Sequence, residues 1–503
     1  MRGKILNMKT ITLLLLLVLT FFTSSAAIYK TEPSVYKQQV EENIYKEEAI
    51  SNFTFNELVE LSKTAEPKGA LKAKVDEHLS MVHIVNRNLK YKLEKSYLRV
   101  ADWNIHRGYN IEEIKEILLD PASYESKYIA NVKPRDRKHF KEELYTFATA
   151  DIICLSEVDI GMPRTKYKNI ASELSTYLNR DYAYATEYIE LGPLFQKQAV
   201  DETKYKGLHG NVIISKFPIV SAKVVRMPEQ YDWYRNETNK KQPPLEHCRK
   251  FGAFSIFSER ILPNEVRHGS RNAITADIEL PTGQIVTIVL THLEDRAYPN
   301  QRLKQFKYLL SSIKDKRNPV ILTGDFNTST TDTKPTSMKK EISKRLRDPD
   351  YILRTTGSVF VPGLPIASGI AAFVFSKLLQ YKDPFYPHIP VIFPNHERKF
   401  YKCLKEFKFC DGNCFDLSGD KKRSSNGRRG LLANSNQRHW KGFKSTFKLE
   451  KPRVIAYYKL DWFFIKPVGK NFQPFNGRTL KTFNYSFKGH LSDHNPITVD
   501  LRL

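Results

Sequence analysis

From residue 98 onward, short β-branched and apolar runs recur between helical stretches and loops, at 98–101, 151–155, 211–214, 273–280, 285–290, 319–322, 460–465 and 497–501. Many short strands with intervening helices point to an α/β sandwich. No internal repeat is visible. Apolar residues make up 41% of the 503-residue chain and charged residues 27%, which is ample material for a large core.

The ends of these runs carry an ordered set of polar residues. Asn104 follows the first run, and Glu157 follows the second in Leu155-Ser156-Glu157. Asn211 opens the third. His292 lies in Thr291-His292-Leu293-Glu294, and Asp325 and Asn327 lie in Gly324-Asp325-Phe326-Asn327. Asp461 follows Lys459-Leu460, and Asp493 and His494 lie in Ser492-Asp493-His494-Asn495-Pro496. A strand sends alternate side chains to one face, so Asp325 and Asn327 can point into one cleft. Carboxylate and amide oxygens are hard ligands suited to Mg²⁺ or Mn²⁺, and nearby histidines can donate to phosphate oxygens or handle protons. Taken singly, each residue reads equally well as a turn, a cap or a solvated side chain. Converging on one cleft, they make a metal-assisted phosphoryl-transfer site.

The wording WNIHRG, LSEVD, GNVIISKFPI, THLE, GDFN, KLDWFF and SDHNPI, in that order, resembles the endonuclease/exonuclease/phosphatase superfamily. The resemblance implies a four-layer α/β sandwich of two packed, mainly antiparallel sheets flanked by helices. It spans residues 98–503 as a catalytic domain, with a basic insertion at 331–459. It implies hydrolysis of phosphoric ester bonds with Mg²⁺ or Mn²⁺ as cofactor. Asn104 and Glu157 would hold the metal, and Asp493 would be a metal ligand or histidine partner. His292 would contact the scissile phosphate or assist protonation. Asp325 would orient or deprotonate the attacking water, steadied by Asn327. Asp461 would brace His494, and Asn211 matches a position near the phosphate. Some nucleases of the group carry a second acid two residues after the first Asn; here that position is His106. Asp102 is expected on the opposite strand face and cannot simply replace it.

The flanking segments bear on location and partners. Arg2, Lys4 and Lys9, the apolar run 11–22 and the small residues 23–27 form the pattern of a secretory signal peptide, so residues 1–27 are expected to be removed on export. Twelve residues rise about 18 Å as a helix, too short for a bilayer core of about 30 Å. A signal anchor is the alternative. Residues 28–97 are rich in Lys and Glu, with helical spacing near Leu58, Leu61, Leu71 and Val75, and read as a helical extension. In an oxidising compartment Cys248, Cys403, Cys410 and Cys414 are expected to form two disulfides, with Cys154 buried and reduced. Asn52, Asn236 and Asn484 begin glycosylation sequons; that at Asn327 would block the cleft and is expected to be unmodified.

The net charge is +25, and residues 331–459, with 26 Lys and Arg against 11 Asp and Glu, carry +15 of it. Such a balance favours polyanionic partners. The expected substrate is nucleic acid, with the run 421–429 tracking its backbone. An anionic membrane surface is a possible partner for the apolar segment 359–379, which would suit a phospholipid phosphodiesterase of sphingomyelinase type. A non-catalytic binding protein of the same fold is a third reading, opposed by the completeness of the site. No protein partner is implied.

Overall fold

The computed structural model describes residues 44–45, 53–87, 91–92, 94–239, 265–328, 381–382, 390–391, 398–417, 443, 445–449, 456–487 and 489–503. In chain order the strands are β1 (Ile44–Tyr45), β2 (Val82–Val85), β3 (Tyr97–Asn104), β4 (Ile152–Ile160), β5 (Asp181–Glu190), β6 (Leu208–Ser215) and β7 (Ile219–Arg226). Next come β8 (Arg267–Gly269), β9 (Asn272–Glu279), β10 (Ile285–His292), β11 (Val320–Asp325), β12 (Tyr381–Lys382) and β13 (Pro390–Val391). Last are β14 (Phe447–Leu449), β15 (Ala456–Tyr458), β16 (Asp461–Lys466), β17 (Pro474–Thr479) and β18 (Ile497–Arg502). Each of the eight expected runs falls on one of them.

The larger sheet runs β1-β2-β5-β6-β4-β3-β18-β17, with β8 beside β5, and the smaller runs β16-β11-β10-β9-β7. Pairing is mainly antiparallel; β3–β4 and β10–β11 are parallel. Alternation along the strands explains the layers. Leu98, Val100, Ile152, Cys154, Ile213, Ile497 and Val499 of the larger sheet share one buried cluster with Ile274, Ala276, Ile288, Leu290, Ile321 and Phe463 of the smaller. The intervening residues Ala101, Trp103, Ile153, Leu155, Val212 and Ile214 face outward onto Ile114, Phe140, Leu144, Phe147, Ile170 and Leu174 of covering helices. On the smaller sheet's outer side, Phe306 of helix Pro299–Ser312 stacks on Phe400 of helix Arg398–Glu406 at 3.7 Å, and both meet Phe464. The fold is therefore the two-sheet α/β sandwich that the sequence implies.

Two expectations need correction. Residues 28–97 are not helical throughout. Helices Phe55–Leu61 and Gly69–Ser80 are present, but Val82–Val85 pairs antiparallel with β5 and belongs to the larger sheet. Its four residues, three of them buried, are too short a run to stand out from the Lys- and Glu-rich text around them. The disulfides are absent among the described residues: Cys403, Cys410 and Cys414 are each free, as is buried Cys154. Cys403 lies on a helix packed against the core, whereas Cys410 and Cys414 are exposed around a tight turn closed by Phe409 and Asn413. Cys248 and the segments 359–379 and 421–429 lie outside the described residues. No helix among the described residues is long and apolar enough to cross a membrane.

The first two helices are joined to the sheet by polar contacts. Thr54 and Glu57 form a capping box at the start of Phe55–Leu61. Near the end of the next helix, His78 Nε2 lies 3.0 Å from Thr186 Oγ1 of β5. Burial, then the charges of Arg226 and His83, push the His78 imidazole down to about 4. The folded state thus favours the neutral ring, while the unfolded ring takes up a proton below about pH 6.5. His78 contributes stability that is present above pH 6.5 and lost as pH falls through 4. Denaturant titrations between pH 6.5 and 4 should show this loss, on the order of 2 kcal/mol for a partly exposed ring. The His78→Gln protein should show a shallower slope over the same window; identical slopes would exclude His78 as the source.

Candidate active site

The site forms where the inner faces of both sheets turn from apolar to polar. On the smaller sheet, register places His292 opposite Asp325 and Asp325 opposite Asp461, so three strands end in one row. Gly324 has φ +134°, and a Cβ there would collide with the Thr291 carbonyl oxygen; the close β10–β11 approach that aligns this row needs the glycine. Asp325 is 2% exposed. Burial, then the neighbouring Asp461 charge against the opposing pull of His494, lifts its carboxyl to about 7. The Asn327 backbone N–H donates to Asp325 Oδ1 at 2.8 Å, and Asn327 Nδ2 donates to the Leu293 carbonyl at 2.9 Å.

The larger sheet supplies the facing groups. Asn104 Nδ2 donates to Glu157 Oε1 at 3.1 Å and to Asp325 Oδ2 at 3.2 Å, linking the two sheets across the site. Glu157 has φ +57° and sits at an irregularity of the β4–β6 pairing between Leu155 and Val158. A bulge there turns the carboxylate toward the site instead of along the strand's alternation. Asn211 is wholly buried; its Nδ2 donates to Asn272 Oδ1 at 3.2 Å, and its own Oδ1 has no partner among the described residues.

His494 comes from the loop before β18. Its Nδ1 is 2.8 Å from Asp461 Oδ2, and its Nε2 is 3.6 Å from Asp325 Oδ2. Burial alone would lower the imidazole pKa, but Asp461 and Asp325 raise it well above the usual histidine range. Three groups hold the loop. The Ser492 hydroxyl donates to the Asn104 carbonyl at 2.6 Å, and Trp103 Nε1 donates to the His494 carbonyl at 2.8 Å. Asn484 Nδ2 donates to Ser492 O, His494 O and Asn495 Oδ1. Asn484 is therefore buried with its amide fully engaged, and the sequon expected there cannot carry a sugar in this fold.

Asp493 lies on the open side, with Oδ1 3.7 Å from His106 Nδ1. Burial would raise its carboxyl, but His106, His494 and His490 bring it below the ordinary range. His106 thus answers Asp493. The expectation for Asp102 is overturned. It precedes Asn104 by two residues and so shares its inner face, where burial and the charges of Asp461 and Asp325 raise its carboxyl well above the usual range. Among the described residues, Asp325, Asp461 and His494 are the acidic and imidazole groups whose ligand atoms lie within 4.8 Å of one another.

The sequence does not single out Arg271 or Glu187, yet both belong to the site. Arg271 Nη1 lies 2.7 Å from His292 Nδ1 and 2.9 Å from Glu187 Oε2. A guanidinium only donates, so His292 Nδ1 accepts, and the proton of the neutral ring sits on Nε2, 3.6 Å from Asp325 Oδ2. Burial and the Arg271 charge keep that ring's pKa well below the normal value. Arg271 immediately precedes a strand, and the rule that finds Asn104 and Asp325 at strand ends, applied to strand starts, would find it too.

Comparison with known proteins follows the same lines. The sequence model of the Endonuclease/Exonuclease/phosphatase family matches residues 103–369, just over half of the chain. No curated protein matches. Among solved structures, an endonuclease/exonuclease/phosphatase from Beutenbergia cavernae is similar at 15% identity, covering 81% of this chain and 72% of its own, with a TM-score of 0.36. The human Nocturnin catalytic domain with bound sulfate is similar at 15% identity over 83% of this chain and 96% of its own, with a TM-score of 0.37. A mannosyl-6-phosphatase of Bacteroides thetaiotaomicron is similar at 11% identity over 81% of this chain and all of its own, with a TM-score of 0.36. The chain belongs to the Endonuclease/Exonuclease/phosphatase family, as a hydrolase acting on phosphoric ester bonds.

Proposed function

We propose that this chain is a secreted phosphodiesterase that cleaves nucleic acid with the help of Mg²⁺ or Mn²⁺. The observation that carries the reading is the convergence of Asp325, Asp461, His292 and His494 on one buried row beside Asn104 and Glu157. The donor set fits a hard cation: it is made of carboxylate and amide oxygens, with the Asn104 amide beside the Glu157 carboxylate at 3.1 Å. Asn104, Glu157 and Asp493 would hold it. When bound, such an ion polarises a phosphoryl oxygen and offsets the charge that builds on it.

The remaining steps belong to the side chains. His292, neutral with its proton on Nε2, donates to a non-bridging phosphate oxygen without adding a second buried charge. Asp325, raised to about 7, accepts a proton from the attacking water near neutral pH as the water oxygen bonds to phosphorus, and the P–O bond to the leaving group breaks, the leaving oxygen taking a proton from solvent. Asn327 steadies that water and the phosphate. His494, kept protonated by Asp461, donates to the same phosphate as negative charge develops. Asn211, held by the bond from its Nδ2 to Asn272 Oδ1, would lie near the phosphate as the family resemblance implies. The basic segment 331–459 lies between the Asp325 and Asp461 strands in sequence, so its charges would reach phosphates remote from the scissile bond.

The first test is chemical. Hydrolysis of bis(p-nitrophenyl) phosphate, plasmid DNA and RNA should require Mg²⁺ or Mn²⁺ and stop with chelator, and Asp325→Ala or His494→Ala should abolish turnover on all three. Neutralising Lys421, Lys422, Arg423, Arg428 and Arg429 should leave the small diester unaffected. It should weaken duplex DNA binding and reduce the salt slope by about 0.9 for each phosphate that is no longer neutralised. Unchanged nucleic-acid affinity in that variant, together with hydrolysis of sphingomyelin vesicles, would replace the nucleic-acid reading with a lipid one.

A second test concerns His292. Arg271→Lys keeps the charge near Glu187 but loses the planar fork that fixes the ring. Its kcat on the small diester should fall about tenfold. The ¹⁵N shifts of His292 should report mixed tautomers. A single Nε2–H tautomer in the variant would refute the role given to Arg271.

A further inference from the structure

Asp461 and His494 form one hydrogen-bonded pair, yet they belong to different sheets: Asp461 opens β16 of the smaller, and His494 precedes β18 of the larger. A pair built across two layers keeps its spacing only if something ties the layers together beside it. The end of the basic insertion lies there. Phe443 is buried against Phe463 and beneath the Lys459 ammonium, and its ring fills the space that a Cβ on Gly477 would need. Four residues further on, Phe447 makes an isolated bridge to His494, and the two rings lie 5.2 Å apart.

Thr446 stands between these contacts and is fully buried. Its hydroxyl oxygen accepts from the backbone N–H of Leu460 at 3.0 Å and of Asp461 at 3.2 Å. Its carbonyl oxygen accepts from the backbone N–H of Asn495 at 2.8 Å and from Asn495 Nδ2 at 3.1 Å. One residue thereby holds the main chain of Asp461 with its side chain and the residue after His494 with its backbone. We infer that Thr446 is a positioning residue of the active site, which sets the separation of Asp461 and His494 and makes the return arm of the insertion part of the catalytic apparatus. A displacement on the order of 1 Å at a reacting group can cost about a hundredfold in rate, so a staple at this point acts on turnover and not only on stability. The inference rests on the reading of Asp461 and His494 as the catalytic pair.

The test compares Thr446→Val, which keeps the shape and removes the acceptor, with Thr446→Ser, which restores it. Both full-length proteins are assayed on bis(p-nitrophenyl) phosphate with Mg²⁺, beside His494→Ala. The Val variant should lose about tenfold or more in kcat with KM within about twofold of the parent, and the Ser variant should recover kcat to within about threefold. In an Asp461→Ala background the Val substitution should have no further effect on kcat, because the group it positions is gone. Parental kcat in the Val variant, a loss confined to KM, or a full additional loss in the Asp461→Ala background would overturn the inference. If the Val variant does not fold, Asn495→Ala removes one arm of the second link and should lower kcat a few-fold at unchanged KM; parental kcat there would likewise overturn it. An active His494→Ala protein would instead reject the catalytic reading of the pair itself, a separate failure.

Discussion

The imidazole–carboxylate contact between His494 and Asp461 joins the two sheets at the point where the core between them ends. Below it, the inner faces meet through Leu290, Ile321, Phe463, Val100 and Ile497, and the attraction is non-directional burial. That packing tolerates small slides of one layer over the other. The polar row above does not, because hydrogen bonds to buried charges fail within a few tenths of an ångström. The hydrophobic core therefore brings the sheets together, and the contacts of His494, Asp461, Asn104 and Asp325 select one register from those the core would accept. Asn104 contributes the second cross-sheet link, with one amide group held between Glu157 and Asp325.

Crowding acids into a buried row carries an electrostatic cost, and the chain meets it in three different ways. Asp461 is balanced by a histidine that it keeps charged. Asp102, buried beside the Asp461 and Asp325 charges, is pushed toward its neutral form. Asp325 lies between these cases, with a carboxyl brought to about 7. Unpaired charges in such surroundings shift their protonation before they break the fold. The gradient from the balanced acid to the neutral one leaves Asp325 as a carboxylate that can take or give a proton near neutrality. Arg271 does the complementary work on the other flank, where its positive charge meets Glu187 and holds His292 uncharged.

The legibility of this arrangement in the sequence is uneven, for physical reasons. Strands such as 285–290 and 319–322 lie in the middle of the smaller sheet and are covered on both faces, so they read as apolar runs. β5 is just as buried, yet its text DYAYATEYIE mixes aromatics with acids, because Glu187 and Glu190 are buried against arginines that lie far away in sequence. β7 sits at a sheet edge and buries only Ile219, Ala222 and Val225 of its eight residues, which weakens its apolar signal. Asn104, His292, Asp325 and Asp461 are visible because each lies at the end of a strand, whereas Glu157 and Asn211 lie inside β4 and β6 and stand out only as polar residues in apolar runs. Asp102 falls on the wrong face when strand parity is counted from Trp103 instead of Asn104. Thr446 is invisible, since its role depends on a chain reversal more than a hundred residues after Asp325.

That reversal bears on why an insertion of this size is tolerated between two strands that must pair in register. Loop closure entropy grows only slowly with length, so a long excursion adds little to the cost of pairing β11 with β16. The harder condition is local: the chain must return at a fixed height, with Asp461 opposite Asp325, and a long connection supplies no such accuracy. Phe443 and Thr446 meet it by docking before the strand begins, one through an aromatic contact with Phe463 and the other through the main chain of Leu460 and Asp461. The insertion is also pinned partway along, where Phe400 stacks on Phe306 and the Asp416 N–H donates to the Ile465 carbonyl, so its described parts brace the smaller sheet that carries the row. Its end is bound to the same backbone that carries Asp461, so the accuracy of the return is set at the catalytic row itself and not by the long path before it.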